Sequence, residues 1–442
     1  EAREIILMAT GEHKAPIIKR AVEEDLSTDV SATYLQMHPN TTFYLDRAAA
    51  GELTRIKTPW LVKSVEWDEP MSKKAVIWLS EKVGKSILSL EASDFHRNHL
   101  HGLAHSHKNI DDLCRGVFED LRLRIKYARD LPSRQKVIVF SPHPDDDVIS
   151  MGGMLHKLVH NDNDLTVAYM TNGSVAVFDG DVRRHLRFVQ MSADLFLDRE
   201  TGDDVNDRAE RIYDFMKVKE PGSVDIEEVQ LLKSFIRYTE AIAALEVIGL
   251  GASNARFLDM PFYKTGRVKK DPIDDEDVAI ILHLLEEIEP EHIFVAGDLS
   301  DPHGTHRMCY SAIEKAVARY NVRFNVAGDG VVTNGSGAPP IPNSEDDRRP
   351  LVWLYRGAWQ EWEIDVADVF VPLSKADLDT KIEAIFKHES QKDRALFPGA
   401  YDEREFWQRA RDRNRNTARE LDSLGLPEFY AAEAYVVCRE LE

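Results

Sequence analysis

The sequence predicts an α/β fold: a doubly wound, mostly parallel sheet, preceded by a partial α/β segment and a helical connector. Three observations carry this. From residue 136 onward, short runs rich in β-branched and aromatic residues alternate with longer amphipathic stretches. Strands alternating with helices imply crossover units and a parallel sheet covered on both faces. The chain has 442 residues, 43% of them hydrophobic and 30% charged, enough for two or three domains at roughly 100–200 residues each. A polar stretch with a proline, Leu131-Pro132-Ser133-Arg134-Gln135, marks the boundary before the regular part.

Along the chain, a strand at about 3–9 runs into Gly11-Glu12-His13-Lys14, and a helix continues to about Glu24. Thr42-Phe43-Tyr44-Leu45 reads as a second strand, followed by a helix from Arg47 to Arg55. Val76, Leu79, Val83 and Ile87 recur at helical spacing, and so do Leu113, Val117, Leu121 and Ile125. Beyond the boundary, strands are expected at 136–141, 165–171, 255–259, 292–297 and 351–355. Helices are expected at about 148–160, 229–249, 277–288 and 306–320. The charged stretch 174–228 reads as an inserted lid or flap, and 327–350, rich in Gly, Pro and Asn, as a long surface loop. The expected division is 1–130 and 131–442.

Composition excludes several classes. The formal charge of −21 argues against nucleic-acid binding, which rests on Lys and Arg neutralising phosphates. No run approaches the roughly 18–20 apolar residues of a membrane span. Cys114, Cys309 and Cys438 form no CxxC pair, as fits a reducing cytoplasm. Glu4-Ile5-Ile6-Leu7-Met8-Ala9 already reads as a buried strand, so the numbering is expected to start inside a domain. Whether copies associate into a homo-oligomer is left open.

Two strings carry chemistry. Ser141-Pro142-His143-Pro144-Asp145-Asp146-Asp147 begins where the strand at 136–141 ends. In an open α/β sheet, ligands bind outside the carboxyl ends of the strands. A His and three carboxylates can supply mixed N/O ligands to a metal and leave one carboxylate as a base on water. Alone, an Asp run more often caps a helix. The second string, Asp301-Pro302-His303-Gly304-Thr305-His306, follows the strand at 292–297 and puts two His at i and i+3. Alone, these would more often be surface histidines. Together, the two clusters can converge on one site. Five His at 96, 99, 101, 105 and 107 have polar flanks and read as a solvated loop.

The pattern His143-Pro144-Asp145-Asp146-Asp147, then Gly152-Gly153, then His303-Gly304-Thr305-His306 resembles the LmbE/PIG-L family of zinc-dependent N-deacetylases. The resemblance covers roughly residues 135–440 and includes a segment, Lys387-His388-Glu389-Ser390-Gln391, like the family's His-x-Ser-Gln element. It implies a Rossmann-like sheet, with His143, Asp146 and His306 as ligands of Zn2+ or another divalent ion. It implies Asp145 as general base, and His303 as oxyanion stabiliser or general acid. Arg237 resembles the family's sugar-contacting arginine, lying off an apolar stripe of Phe235, Tyr238, Ile242 and Leu245. Asp147 replaces the usual Glu near the expected entrance. Thr305 stands where many relatives have the Asp that orients the acid or base.

Residues 1–60, with Gly11-Glu12-His13-Lys14-Ala15, Leu35-Gln36-Met37-His38-Pro39-Asn40 and Asp46, resemble the final third of a glucosamine-6-phosphate deaminase/isomerase domain. The resemblance implies that Lys14 helps hold a sugar phosphate. The family's catalytic acids and ring-opening His have no counterpart here. The expected function is hydrolysis of the acetamide of a small-molecule amino sugar. The alternatives are a deaminase-type protein with a fused LmbE-like half, and a binding protein that holds metal without turnover.

Overall fold

Lys136–Ser141 is buried from its second residue on, as a strand covered on both faces must be. Its alternate side chains go to opposite layers, Val137 and Val139 into one core and Ile138 and Phe140 into another. The computed structural model describes residues 2–220, 222–264, 269–299, 301, 304–327, 348–357, 360–392 and 404–441.

The N-terminal elements are β1 (Ile5–Ala9), α1 (Ala15–Glu23), β2 (Thr41–Leu45), α2 (Thr54–Lys57), α3 (Glu69–Val83), α4 (Ala92–Arg97), α5 (His101–Ser106) and α6 (Ile110–Arg124). They are followed by β3 (Lys136–Ser141), α7 (Asp146–His160), β4 (Asp164–Tyr169), α8 (Asp179–Phe196), α9 (Arg199–Val218) and α10 (Glu227–Ile248). Next come β5 (Ala255–Phe257), α11 (Asp275–Ile288), β6 (His292–Ala296), α12 (Thr305–Asn321) and β7 (Leu351–Tyr355). The last are β8 (Val369–Leu373), α13 (Lys375–Ile385), α14 (Phe406–Ser423) and β9 (Ala431–Cys438).

Seven strands form one sheet in the order β5-β4-β3-β6-β7-β9-β8. The pairings from β5 to β7 are parallel, and β9 runs antiparallel to both its neighbours. The chain steps outward from β3 through β4 to β5, then returns to place β6 on the other side of β3. Between β3 and β6 the winding reverses, and such a switch point opens a crevice at the carboxyl ends of the strands. One face is covered by α7, α10 and α13. The other is covered by α11 and α12 under the parallel strands. Helices α3 to α6 share a core with β8, β9 and α14.

The expected strands all form. β8 and β9 were not anticipated. Pro372 inside β8 speaks against a strand, and is tolerated because β8 lies at the sheet edge. The helix expected at 47–55 is instead a series of turns ending in the single helical turn α2. The His-rich stretch is helical and not a loop. Phe95, Leu100 and Leu103 are fully buried, and a capping box between Glu91 and Asp94 starts α4. His96, His99, His101 and His105 remain exposed on it. The insertion holds the two long helices α8 and α9, with a small core shared with α10. Of the 327–350 loop, only residues 327 and 348–350 fall among those described.

Residues 60–125 are fastened to the sheet as well as packed on it. Lys126 donates its backbone N–H to the Phe370 carbonyl at 2.8 Å. Arg124 pairs with Asp368 at 3.0 Å and donates to the Ala367 carbonyl at 2.7 Å. At the other end, β1 and β2 form a separate parallel pair. The turn after β1 reaches the large sheet through Glu12, whose carboxylate takes both Arg356 terminal nitrogens at 3.0 and 3.1 Å.

This packing predicts that truncating the fully buried Leu121 to Ala will cost about 2–5 kcal/mol. In denaturant titration the loss should appear in the same transition that reports the sheet residue Trp353. A separate early transition, with the sheet signal unmoved, would show that α6 unfolds on its own.

Candidate metal centre

The turn after β3 is held by its own backbone. The Ser141 hydroxyl donates to the His143 carbonyl at 2.6 Å and accepts the Asp147 N–H at 3.1 Å. Thr171, after β4, donates its hydroxyl to the Pro142 carbonyl at 2.7 Å. These bonds fix the start of α7 against the two central strands. His143 and Asp146 thereby face the same crevice, the His143 N–H donating to Asp146 Oδ2 at 2.9 Å.

His306 enters from the first turn of α12, just past the end of β6. Its Nε2 lies 3.1 Å from Asp146 Oδ2, and His143 Nδ1 lies 3.0 Å from that same oxygen. One ligand atom from each of the three residues falls within 4.8 Å of the others, the only such cluster of three or more among the described residues. His306 Nδ1 lies 2.9 Å from the Asp298 carbonyl. A carbonyl only accepts, so Nδ1 carries the hydrogen and Nε2 can offer its lone pair to the site. Two imidazoles and a carboxylate fit zinc, and accept iron or cobalt as well. The carbonyl that orients His306 left no signal in the sequence, and the buried Thr305 hydroxyl itself has no hydrogen-bond partner.

Burial opposes a charged imidazole, yet the ion pair with Asp146 prevails and holds His306 up at about 10. Burial likewise opposes the Asp146 carboxylate, but His306 and His143 hold it well below its usual range. Without metal, the centre is thus a buried ion pair.

Asp145 is buried, and its Oδ2 meets Arg237 Nη2 at 3.0 Å. Arg237 is 1% exposed, and its Nε and Nη1 have no hydrogen-bond partner. Of the stripe expected on α10, Leu245 is fully buried and Ile242 packs on the core, but Phe235 is 53% exposed, and Ile236, Arg237 and Glu240 face inward. Arg237 can approach because Gly173 has no side chain; a Cβ there would come within 3.0 Å of Nε. Glu240 accepts both the N–H and the hydroxyl of Ser390, at 2.7 and 2.8 Å. This anchors the segment carrying His388, whose buried ring has neither nitrogen partnered. Burial drives that ring down to about 3, against the pull of Asp145, so it is neutral.

Asp147 does not line an entrance. It lies fully beneath the site, takes the Tyr169 hydroxyl at 3.1 Å, and burial pushes its carboxyl up to about 7. His303 lies outside the described residues. Lys14 is exposed on the turn after β1. That turn lies against Arg307, whose Nη1 would be 3.9 Å from a Cβ on Gly11. Tyr263, its ring centroid 6.5 Å from that of His143, had no signal in sequence. A shallow pocket opens beside Asp145, lined in part by His388, Gln391, Lys392, Phe386 and Trp407.

Residues 138–317 match a family model described as PIG-L, GlcNAc-PI de-N-acetylase. The chain carries a domain of the PIG-L/LmbE family there, with glucosamine-6-phosphate deaminase-like sequence at its N-terminus. A glucosamine-6-phosphate deaminase-like protein of Bacteroides thetaiotaomicron is 39% identical over 449 residues, covering 98% of this chain and 65% of that protein. A glucosamine-6-phosphate deaminase of Rhodopirellula baltica is 49% identical over 55 residues, 12% of this chain and 22% of that enzyme. The chain therefore spans just under two thirds of the first relative's length and about a fifth of the second's. Among solved structures, the N,N'-diacetylchitobiose deacetylase of Pyrococcus horikoshii gives a TM-score of 0.39 at 17% identity, covering 74% of this chain and 90% of that one.

The raised His306 fixes the sign of a pH effect. In metal-free protein at neutral pH this ring holds a proton that a divalent ion must displace. Metal affinity should fall as pH drops from 8 to 6, by about tenfold per unit for one proton per ion. Calorimetric titration in buffers of different ionisation enthalpy measures the proton released; no release would show that His306 is not a ligand.

Proposed function

We propose that the chain is a metal-dependent N-deacetylase that cleaves the acetamide of an N-acetylglucosamine-type sugar, giving acetate and a free amine. The observation that carries this is the convergence of His143, Asp146 and His306, with Asp145 beside them and unused as a ligand. A divalent ion held by those three would supply Lewis acidity to the site. Asp145, oriented by Arg237, takes the proton of the attacking water and can return it to the leaving amine. The neutral ring of His388 can donate an N–H to the developing oxyanion. His303 retains its expected part in that stabilisation. The Nε of Arg237, which has no hydrogen-bond partner, suits a sugar hydroxyl, and the aromatic wall of Phe386 and Trp407 suits the apolar face of a pyranose.

The family match over 138–317 supports this reading. A second reading is favoured by the B. thetaiotaomicron relative. In it, the complete protein deaminates glucosamine 6-phosphate, Lys14 holds the phosphate, and the deacetylase half supplies the amine by removing the acetyl group first. The buried thiols of Cys114 and Cys309 suit a reducing compartment, and no described helix is long and apolar enough to cross a membrane.

Acetate release from a panel of acetamido sugars, with and without chelator, tests the proposal. Chelation should abolish release and added divalent metal restore it. Asp145→Asn should lower kcat by about 10²–10⁴ while metal affinity stays within about threefold. Stoichiometric metal with no acetate from any amino sugar would leave a binding protein instead.

Arg237→Met should lower kcat/KM by about tenfold or more, since a buried charged donor and the partner of Asp145 go together. Unchanged kinetics in that variant would remove Arg237 from the site.

A further inference from the structure

Helix α7 is broken one turn after it begins. Met151 has φ −129° and ψ 22°, which are not helical values. The break separates the turn bearing Asp146 and Asp147 from the rest of the helix. In an unbroken helix, the Met154 N–H would bond the Ser150 carbonyl and the Gly153 N–H the Ile149 carbonyl. Here Gly153 and Met154 donate to the two carboxylate oxygens of Glu433, at 3.0 and 2.7 Å. The Ser150 carbonyl is taken by Lys381 Nζ at 3.2 Å. Lys381 and Glu433 are themselves paired at 2.7 Å, with both side chains 1% exposed.

A buried ion pair from α13 and β9 therefore braces the break: the carboxylate accepts from the amides after it, and the ammonium donates to the carbonyl before it. The glycines make room for it. A Cβ on Gly152 would lie 2.9 Å from Lys381 Cγ, and one on Gly153 would lie 2.6 Å from the Leu373 methyl carbons and 3.1 Å from Glu433 Oε1. Asn414 adds an acceptor to Lys381 at 2.8 Å, and Tyr435 donates its hydroxyl to Glu433 at 2.8 Å. A buried pair with every partner in place holds one geometry.

We infer that Lys381 and Glu433 are positioning residues for the metal centre: by clamping the broken turn of α7, they set the angle at which Asp146 meets the two imidazoles. Neither residue touches the site. The inference rests on reading His143, Asp146 and His306 as metal ligands.

The test is zinc affinity of the purified full chain, by competition with a chromophoric chelator, beside thermal unfolding of the metal-free protein. Glu433→Gln keeps the shape but loses the charge and one of the two acceptors. It should weaken zinc about 10- to 100-fold, as misorienting a ligand does. Tyr435→Phe removes one support of Glu433, leaves the pair, and should weaken zinc several-fold; it decides the matter if Glu433→Gln does not fold. Leu121→Ala, destabilised far from α7, should bind zinc like wild type. Unchanged affinity in a folded Glu433→Gln or, failing that, in Tyr435→Phe, overturns the inference, as does an equal loss in Leu121→Ala. Failure of the wild type itself to bind a divalent ion sinks the metal reading and this inference together; wild-type binding with an undiminished variant sinks only the inference.

Discussion

A single carboxylate oxygen organises the centre of this molecule. Asp146 Oδ2 lies between an imidazole from the end of β3 and one from the end of β6. A buried carboxylate is costly unless opposite charge and hydrogen bonds compensate for it. The two histidines provide that compensation only where the winding of the sheet reverses, because only there do the two turns face one crevice. The position of β6 beside β3, the bonds that tighten the first turn and the carbonyl that fixes the His306 tautomer all serve this one contact.

The parts legible in sequence were those with a strong local signature. A strand covered on both faces must be apolar throughout, so β3, β4, β6 and β7 stood out. The two histidine-bearing turns stood out because charged residues rarely follow such strands without purpose. β8 and β9 did not, since a proline in one and alanines with Glu433 in the other break the strand pattern. The helices at 92–106 were hidden because apolar anchors at 95, 100 and 103 fit no regular repeat over so short a stretch. Asp147 was mistaken for an entrance residue because nothing local says which of three consecutive aspartates turns inward; Ser141 and Tyr169 decide it.

What sequence could not show at all was partnership over distance. Glu240 sits 150 positions from Ser390, and the bonds between them hold His388 beside the pocket it shares with Asp145. Lys381 and Glu433 are 52 positions apart and lie on different kinds of element. Neither pair leaves a trace in composition or periodicity. Both are strongly determined in the folded chain, because each closes hydrogen bonds that burial would otherwise leave open. The histidine-bearing strings supply the clustered side chains; the distant pairs set how firmly and at what angle those residues are presented.

The shared core of α3 to α6 with β8, β9 and α14 bears on how such a chain can be assembled by gene fusion. A polypeptide begun at residue 131 would keep every residue of the metal cluster, yet would bare to water the apolar side of Phe370, Ala432, Ala434 and Leu421, all now buried. A β-strand pair stripped of its cover invites association with other strands. The segment between the two recognisable halves is therefore no passive spacer. Shuffling the half that bears the metal cluster into a new context requires carrying those helices along, or supplying another cover of the same shape.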